Sequence, residues 1–341
     1  MVKCIKVELK EAERVKTEII ALRLFDFRYK VKKEGNYIFI PITKKYSNYK
    51  ILNKDLEKKE TRISFKDLIK KKFGKKSENI NTSYDLIGDV AVIEIDDNVE
   101  DKKYIGEMLL KVNKNVNIVV RKIGGHEGEY RIQKYEAIAI RNNRNMTSGL
   151  ETIHTESGVK VKLDLNKVYF TSRWASERLR IAKLVKTDER LLVMFSGVGI
   201  LPLIIAKHSE AKEIYGIEIN PVACKYAEEN VKINKIKNIK LFCDDVREVL
   251  SEIRLNEDMK FDRIIMPLPK DAVNFLDIAL KFINKNGIIH LYLFSHESEI
   301  NKTVSYLEDK YKFKVFNIVK TGQNKPKNYR YCLDIANYIN S

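Results

Sequence analysis

Residues 190–220 read RLLVMFSGVGILPLIIAKHSEAKEIYGIEIN, and the pattern of this segment indicates the fold class of the chain. An apolar strand ends in the turn FSGVGI at 195–200, a helix follows, and a second strand ends at Glu218. A glycine-rich turn between a strand and a helix lets the backbone approach a nucleotide-like ligand closely. Glu218 stands 21 residues after Gly197, where a carboxylate can accept hydrogen bonds from both hydroxyls of a ribose.

The alternation of strand and helix extends on both sides of this stretch, from Tyr169 to the C-terminus. The predicted strands are RLLVMF, EIYGIEI, IKLFCDD, FDRIIMPLP and GIIHLYLF, and the predicted helices lie at about 174–185, up to about 208, and at 221–234, 246–253 and 271–284. Strands that alternate with helices indicate a mostly parallel, doubly wound sheet. We therefore predict an α/β chain with a Rossmann-like domain at 169–341.

Three further segments are predicted before this domain. Residues 1–50 switch between strand-like and helical patterns and indicate a small N-terminal α+β module. Residues 51–82 are rich in lysine, glutamate and asparagine and indicate a linker with one short basic helix, whose lysines either grip phosphate or form a solvated face. Residues 83–168 contain several alternating segments and indicate a strand-rich α+β domain.

The chain carries a large excess of positive charge. Its 64 lysines and arginines against 47 aspartates and glutamates give a net charge of +17, which attracts polyanions such as nucleic acid. Lysine-rich usage that reflects an AT-rich genome or a hot habitat is the alternative explanation.

The patterns of cysteine, histidine and hydropathy do not indicate a metalloprotein, a disulfide-rich protein or a membrane-spanning protein. The four cysteines show no C-x-x-C spacing, so neither a zinc site nor a disulfide framework is indicated, and a reducing cytoplasm fits. The five histidines have no ligand-like spacing, so no metal is predicted. The longest apolar run, 191–206, is interrupted by Ser196, Gly197 and Gly199 and is too short to span a membrane.

A third strand ends just before Asp245 in CDDVRE, where a carboxylate can accept a hydrogen bond from an adenine amine. Pro202 occupies the place of the third glycine in a GxGxxG turn, which disfavours a nicotinamide dinucleotide. The three elements together resemble the Rossmann-like S-adenosylmethionine methyltransferases, although Val193 stands where those enzymes often carry Asp. This resemblance predicts S-adenosylmethionine as the cofactor, bound by Phe195, Gly197, Gly199, Glu218, Ile219, Asp245, Val246 and Pro267.

The segment MPLPK at 266–270 lies where many nitrogen-directed methyltransferases carry an Asn-Pro-Pro-Tyr-like or Asn-Leu-Pro motif. Together with EGNYIFIPI, GEYR, VYFTSR, ASER, FSGVG, IEINP and DDVRE, it makes the sequence similar to the archaeal tRNA guanine-37 N1-methyltransferase family over nearly its full length. The resemblance implies a monomeric, cytoplasmic enzyme that binds the folded body and anticodon loop of tRNA and methylates N1 of guanosine 37.

The same resemblance assigns roles to residues by their positions. Glu177 would be the general base that removes the N1 proton, and Arg131 would donate to O6, where negative charge accumulates. Tyr169 and Arg173 would lie along the tRNA, through stacking and phosphate contact respectively, and Lys270 is also expected to bind the substrate. The mixed basic and aromatic residues of the C-terminal segment VKTGQNKPKNYRY, which include Lys325 and Arg330, suit contacts with RNA backbone and bases, or else cover an edge strand. The residues alone leave alternatives open: an exposed helix face for Glu177, a solvent-facing Arg131 and a core position for Tyr169.

Pro267 is the main departure from the family pattern, because enzymes restricted to guanine N1 carry Asn there. Backbone carbonyls at Pro267 would then orient the base. Within the family, a proline here resembles the wyosine-pathway subgroup, which also methylates C7 of 4-demethylwyosine at the same nucleotide, so dual activity is predicted. Two alternatives remain: a methyltransferase for another RNA or a protein, and a non-catalytic tRNA-binding protein, for which Val193 and Pro267 are the best support.

Overall fold

A computed structural model describes residues 1–46, 48–59, 63–141, 149–251 and 259–336. The chain divides into two compact units, residues 1–68 and residues 69–341. Within the described residues, every helix is too short or too polar to cross a membrane.

The first unit is built on a four-stranded antiparallel sheet in the order β2-β3-β1-β4. Its core forms where apolar side chains of the first strand, such as Ile5, meet Val15 and Ile19, which lie one helical turn apart. The fourth strand continues this sheet into the segment predicted as a linker. The elements are β1 (Val2–Glu8), α1 (Ala12–Ala21), β2 (Lys32–Glu34), β3 (Tyr37–Pro41) and β4 (Ile51–Lys54).

The second unit begins with a four-stranded sheet in the order β5-β6-β7-β8, and a separate hairpin follows it. A helix connects the two parallel strands of this sheet, as such a crossover requires. Gly106 lets that helix approach the sheet, because an added Cβ would lie 2.7 Å from the Cβ of Ala139. Helix α2 (Phe65–Phe73) begins in the first unit and ends in the second. The elements that follow are β5 (Tyr84–Ile87), β6 (Val90–Ile93), α3 (Lys102–Val112), β7 (Ile118–Glu127), β8 (Ile132–Ile140), β9 (Glu151–Glu156) and β10 (Val159–Asp164).

A seven-stranded sheet forms the rest of this unit, in the order β13-β12-β11-β14-β15-β17-β16. The predicted mostly parallel sheet is confirmed, except that β17 runs antiparallel to both of its neighbours. The strands are β11 (Arg190–Met194), β12 (Glu213–Glu218), β13 (Ile239–Cys243), β14 (Phe261–Met266), β15 (Ile283–His296), β16 (Lys314–Lys325) and β17 (Asn328–Ala336).

Helices cover both faces of this sheet, and the side chains of β11 show why. Leu191 and Val193 pack in one core cluster, whereas Leu192 and Met194 pack in the cluster on the opposite face. Residues 252 and 253, predicted as the end of a helix, lie outside the described part of the chain. The helices are α4 (Ala175–Leu184), α5 (Ile200–His208), α6 (Pro221–Ile233), α7 (Val246–Ser251), α8 (Leu276–Phe282) and α9 (Ile300–Tyr311).

The strand order reverses direction at β11, and this reversal locates a binding crevice. From β11 the chain moves outward through β12 to β13, then returns to the other side of β11 as β14. Loops after β11 and β14 therefore diverge, and open α/β sheets bind ligands at such a point, beyond the carboxyl ends of the strands.

One expectation about the cysteines is wrong. Cys224 on α6 and Cys243 at the end of β13 form a disulfide, with Cα atoms 5.8 Å apart. Their separation of 19 residues matches no local motif, so the cysteine spacing gave no sign of this bond. Cys4 and Cys332 are free and buried.

Reduction of this disulfide should lower stability, because the bond restricts the unfolded chain. A loop of 19 residues corresponds to about 3 kcal/mol in the chain-entropy account. We expect dithiothreitol to lower the thermal unfolding midpoint of the wild-type protein but not that of a Cys224→Ala/Cys243→Ala double variant. Equal effects of the reductant on both proteins would contradict this prediction.

Candidate active site

Three adjoining cavities open beyond the carboxyl ends of β11, β12 and β14. Phe195 lines all three. The first and third cavities also share Gly197 and Pro267, and the second and third share Arg131 and Ile219. The cavities are thus parts of one cleft at the reversal point of the sheet.

The glycine-rich turn holds the floor of this cleft. Phe195 and Gly197 both have positive φ, at 58° and 57°, a conformation that favours glycine at the second position. The Gly197 N–H donates to Glu218 Oε2 at 2.7 Å. Gly199 has a different role: its Cβ would lie 3.2 Å from the Cβ of Ala227, so it allows α5 to pack against α6.

Glu218 is a carboxylate held in place by backbone donors. Its other oxygen, Oε1, accepts from the N–H of Asn220 at 2.9 Å. Burial raises the pKa of Glu218, although hydrogen bonds from the backbone N–H groups of Asn220, Gly197 and Ile219 act in the opposite direction. A fixed, partly buried acceptor that lines the cleft fits the ribose of the predicted cofactor.

The second cavity brings together the predicted residues that follow β12, β13 and β14. Ile219, Asp245, Val246 and Lys270 line it. Asp245 Oδ1 accepts from the N–H of Arg247 at 2.7 Å and so begins helix α7. The carboxylate therefore has a fixed position beside the cavity, as the predicted adenine contact requires.

The third cavity is lined by two residues predicted to be catalytic, Arg131 and Pro267, and by two predicted to bind the substrate, Tyr169 and Arg330. Arg131 belongs to the turn between β7 and β8, and its guanidinium carbon lies 5.4 Å from the centre of the Tyr169 ring. Tyr169 is 40% exposed, which rules out a core position. The strand-rich sheet thus supplies an arginine to the cleft of the seven-stranded sheet.

Glu177 is buried on α4 and is not among the residues that line the three cavities. Its carboxylate accepts hydrogen bonds from Arg180 Nε and Nη2, at 2.8 and 2.7 Å, and from the Tyr292 hydroxyl at 2.5 Å. Only 6% of Glu177 is exposed, so an exposed helix face is excluded. Trp174 lies next to this group, because its ring packs on Tyr292 and also lines the first and third cavities.

Two predicted substrate residues lie away from the three cavities. Arg173 forms ion pairs with Asp85 and Glu94. Lys325 lies at the end of β16, opposite Asn328. Sequence reasoning did not single out Trp174 or Tyr292, although the only tryptophan of the chain, directly before the ASER segment, was an available signal.

A buried group of His290, Cys332 and Asp334 has metal-ligand chemistry. Arg263 Nη1 lies 2.7 Å from His290 Nε2, and arginine can only donate, so Nε2 accepts and Nδ1 carries the proton. His290 Nδ1 then donates to Asp334 Oδ1 at 2.6 Å. Burial lowers the pKa of His290, in agreement with a neutral ring. These groups satisfy one another, which makes this a structural network.

Three family profiles match successive parts of the chain. The TRM5/TYW2 methyltransferase domain matches residues 152–318, the TYW2 N-terminal domain matches 65–139, and the tRNA methyltransferase 5 N-terminal domain matches 4–50.

Two of the similar proteins are methyltransferases that act on position 37 of tRNA, as their names state. The Pyrococcus abyssi tRNA (guanine(37)-N(1))-methyltransferase Trm5b is 38% identical over 88% of this chain and 86% of its own. The Nanoarchaeum equitans tRNA (guanine(37)-N(1))/4-demethylwyosine(37)-methyltransferase Taw22 is 32% identical over 67% of this chain and 89% of its own.

Structural similarity extends over almost the whole chain. The crystal structure of Pyrococcus abyssi Trm5b has a TM-score of 0.71 and 35% identity over 98% of this chain and 99% of that one. The complex of aTrm5 with tRNALeu has a TM-score of 0.70 and 31% identity, with the same coverage of both chains. With this sequence similarity, this fold and this cleft, the chain belongs to the TRM5/TYW2 methyltransferase family.

Proposed function

We propose that this protein transfers a methyl group from S-adenosylmethionine to N1 of guanosine 37 in tRNA. The observation that carries this proposal is the single cleft in which Gly197 and Glu218 meet Arg131 and Pro267. The first pair suits a nucleoside cofactor, and the second suits a purine whose O6 becomes negative. The Trm5b and Taw22 relatives act on the same nucleotide, as their names state.

S-adenosylmethionine, when bound, supplies an electrophilic methyl group on a sulfonium. Glu218 would accept hydrogen bonds from the ribose hydroxyls, and Asp245 would accept from the adenine amine. Phe195 and Ile219 offer apolar surface where a base can pack. These contacts would fix the cofactor at the ends of β11, β12 and β13.

The nucleophile must lose a proton, and we assign that step to Glu177. Arg180 and Tyr292 donate three hydrogen bonds to its carboxylate, which can accept about four, so one acceptor direction is left for the N1 proton. Glu177 does not line the cavities of the free protein, and we expect its hydrogen bond to N1 to form once substrate is bound, as catalytic hydrogen bonds often do. Arg131 would stabilise the charge that develops on O6.

Pro267 supports a second substrate, 4-demethylwyosine at the same position of tRNA. Proline offers no side-chain acceptor, so the target base would be oriented by backbone carbonyls, which do not demand a guanine edge. The alternative functions, methylation of another RNA or a protein and tRNA binding without catalysis, rest on the same residue and on Val193. We further propose that the protein acts as a monomer in the cytoplasm and that residues 1–50 bind the folded body of the tRNA.

The first test is methyl transfer from labelled S-adenosylmethionine to an unmodified tRNA transcript, followed by nucleoside mass spectrometry. We expect N1-methylguanosine at position 37 with wild type and a rate about 10²- to 10⁴-fold lower with Glu177→Ala, because the general base is lost. Glu107→Ala, on the exposed face of α3, should retain the wild-type rate.

The same assay with a second tRNA, which carries 4-demethylwyosine, tests whether the enzyme has the dual activity. Methylation of both tRNAs supports it, and methylation of the guanosine transcript alone refutes it. Cofactor binding without any methylated guanosine would instead leave the alternative functions. The absence of calorimetric heat with S-adenosylmethionine would favour a non-catalytic tRNA-binding protein.

Tyr292 should stabilise the fold through its hydrogen bond to Glu177. Tyr292→Phe removes one donor to a buried carboxylate, which should lower the free energy of unfolding by about 2 kcal/mol. Tyr306→Phe is the matched control, because Tyr306 is 62% exposed. Equal guanidinium unfolding curves for the two variants would refute the prediction.

Affinity for S-adenosylmethionine should fall as the pH falls. The ionised Glu218 would accept hydrogen bonds from both ribose hydroxyls of the cofactor. Because burial raises the pKa of Glu218, its protonation begins at a higher pH than for an ordinary glutamate, whose pKa is about 4.3. The folding stability of the unliganded protein should depend on pH in the opposite direction. Burial favours the neutral carboxyl of Glu218, so the contribution of Glu218 to the free energy of unfolding declines as the pH rises. Calorimetry at a series of decreasing pH values should show the wild-type affinity falling at a higher pH than the titration of an ordinary glutamate, whereas Glu218→Gln should bind weakly with an affinity that does not change over the same series.

A further inference from the structure

Arg330 on β17 is a buried cation held in one orientation at the edge of the third cavity. It is 9% exposed, and its guanidinium carbon lies 3.8 Å from the centre of the Trp174 ring. Its Nε donates to Thr321 Oγ1 at 3.0 Å, and its Nη2 donates to the Thr321 carbonyl at 2.8 Å. An added Cβ on Gly322 would lie 3.0 Å from Nη2, so glycine leaves room for the group.

This guanidinium has no acidic partner in the part of the chain that the structure describes. Its hydrogen bonds there go only to Thr321, and no carboxylate lies within 4.0 Å of it. Other buried arginines differ: Arg178 pairs with Glu156, and Arg263 pairs with Glu189. The Glu177 carboxylate favours this charge from beyond ion-pair distance, but a buried charge without a counterion in contact is costly unless an anion completes the site.

We propose that Arg330 binds a phosphate group of the RNA beside the target nucleotide. This inference rests on the proposed function, since it needs tRNA in the cleft. Stacking on Trp174 and the two hydrogen bonds to Thr321 fix the orientation of the planar guanidinium. Its remaining N–H donors are then placed to bind the oxygens of a phosphate.

The position of β17 in the sheet favours the RNA over the cofactor as the source of the anion. Arg330 pairs with Phe294 on β15, two strands from Pro267 on the β14 side and four strands from Glu218 on β12. With neighbouring strands about 4.8 Å apart, these separations are roughly 10 and 19 Å. Arg330 thus lies on the side of the target base and away from the ribose site.

The test uses the full chain and measures binding, so it does not depend on turnover. Arg330→Gln removes the positive charge, and Arg330→Lys keeps the charge without the planar guanidinium. Gly322→Ala keeps the arginine but displaces its guanidinium. Lys314→Gln, at the far end of the same hairpin and with 73% of its side chain exposed, is the control. The ligands are a tRNA transcript over a range of salt concentrations, S-adenosylhomocysteine, and 5′-methylthioadenosine, which lacks the amino-acid carboxylate.

We expect Arg330→Gln to weaken tRNA binding about tenfold and to reduce the slope of log affinity against log salt by about one, the effect of one lost phosphate contact. Gly322→Ala should weaken binding in the same direction, and Arg330→Lys should restore the slope but only part of the affinity. Affinity for S-adenosylhomocysteine should stay unchanged in all variants.

Two outcomes would overturn this proposal. Unchanged tRNA affinity and salt slope in Arg330→Gln would mean that no phosphate binds there. A loss of S-adenosylhomocysteine affinity, with the preference over 5′-methylthioadenosine gone, would identify the cofactor carboxylate as the anion. Failure of the proposed function would look different, because wild type would then bind tRNA and cofactor yet transfer no methyl group.

Discussion

The hydrogen bond from the Gly197 N–H to Glu218 Oε2 joins the two strand ends on which the cleft depends. It forms only because the turn after β11 passes through positive φ at Phe195 and Gly197. For Phe195 that conformation costs about 1–2 kcal/mol. Its ring packs edge-on against Phe275 at 4.9 Å, which returns about 0.5–1.5 kcal/mol. The contact between the rings of Phe195 and Phe275 therefore stabilises the turn, and Glu218 already has its orientation in the unliganded protein.

A second constraint is the polar network between α4 and the last strands of the sheet. Glu177 reaches Tyr292 on β15, and Asp334 on β17 binds His290 on β15. Every partner in these contacts is buried, so a missing member would leave an unsatisfied group. This fixes α4 against the sheet, and with it Trp174, the ring that lies between Tyr292 and the cleft.

The sequence predicted the carboxylates that line the cleft, but it did not predict several contacts that hold the surrounding structure together. Glu218 and Asp245 were predicted because each follows a strand, and the carboxyl ends of parallel strands meet at one edge. The disulfide and the contact between Glu177 and Tyr292 could not be predicted, since they join residues 19 and 115 positions apart with no local signature. The place of β17 between β15 and β16 depends on pairing that apolar alternation does not specify.

Pro267 connects the fold to the breadth of the proposed activity. Proline has no N–H and a fixed φ, and the next residue turns back so that the Leu268 N–H donates to the Met266 carbonyl at 2.9 Å. Both features restrict the conformation of the loop after β14, and this loop presents no side-chain amide to the cleft. In the proposed reaction, recognition of the base then falls to other residues that line the same cavity, namely Arg131, Tyr169 and Trp174. Aromatic faces and guanidinium groups respond to the shape and charge of a purine more than to its ring size, which is the physical argument for the proposed dual activity on guanine and a larger tricyclic base.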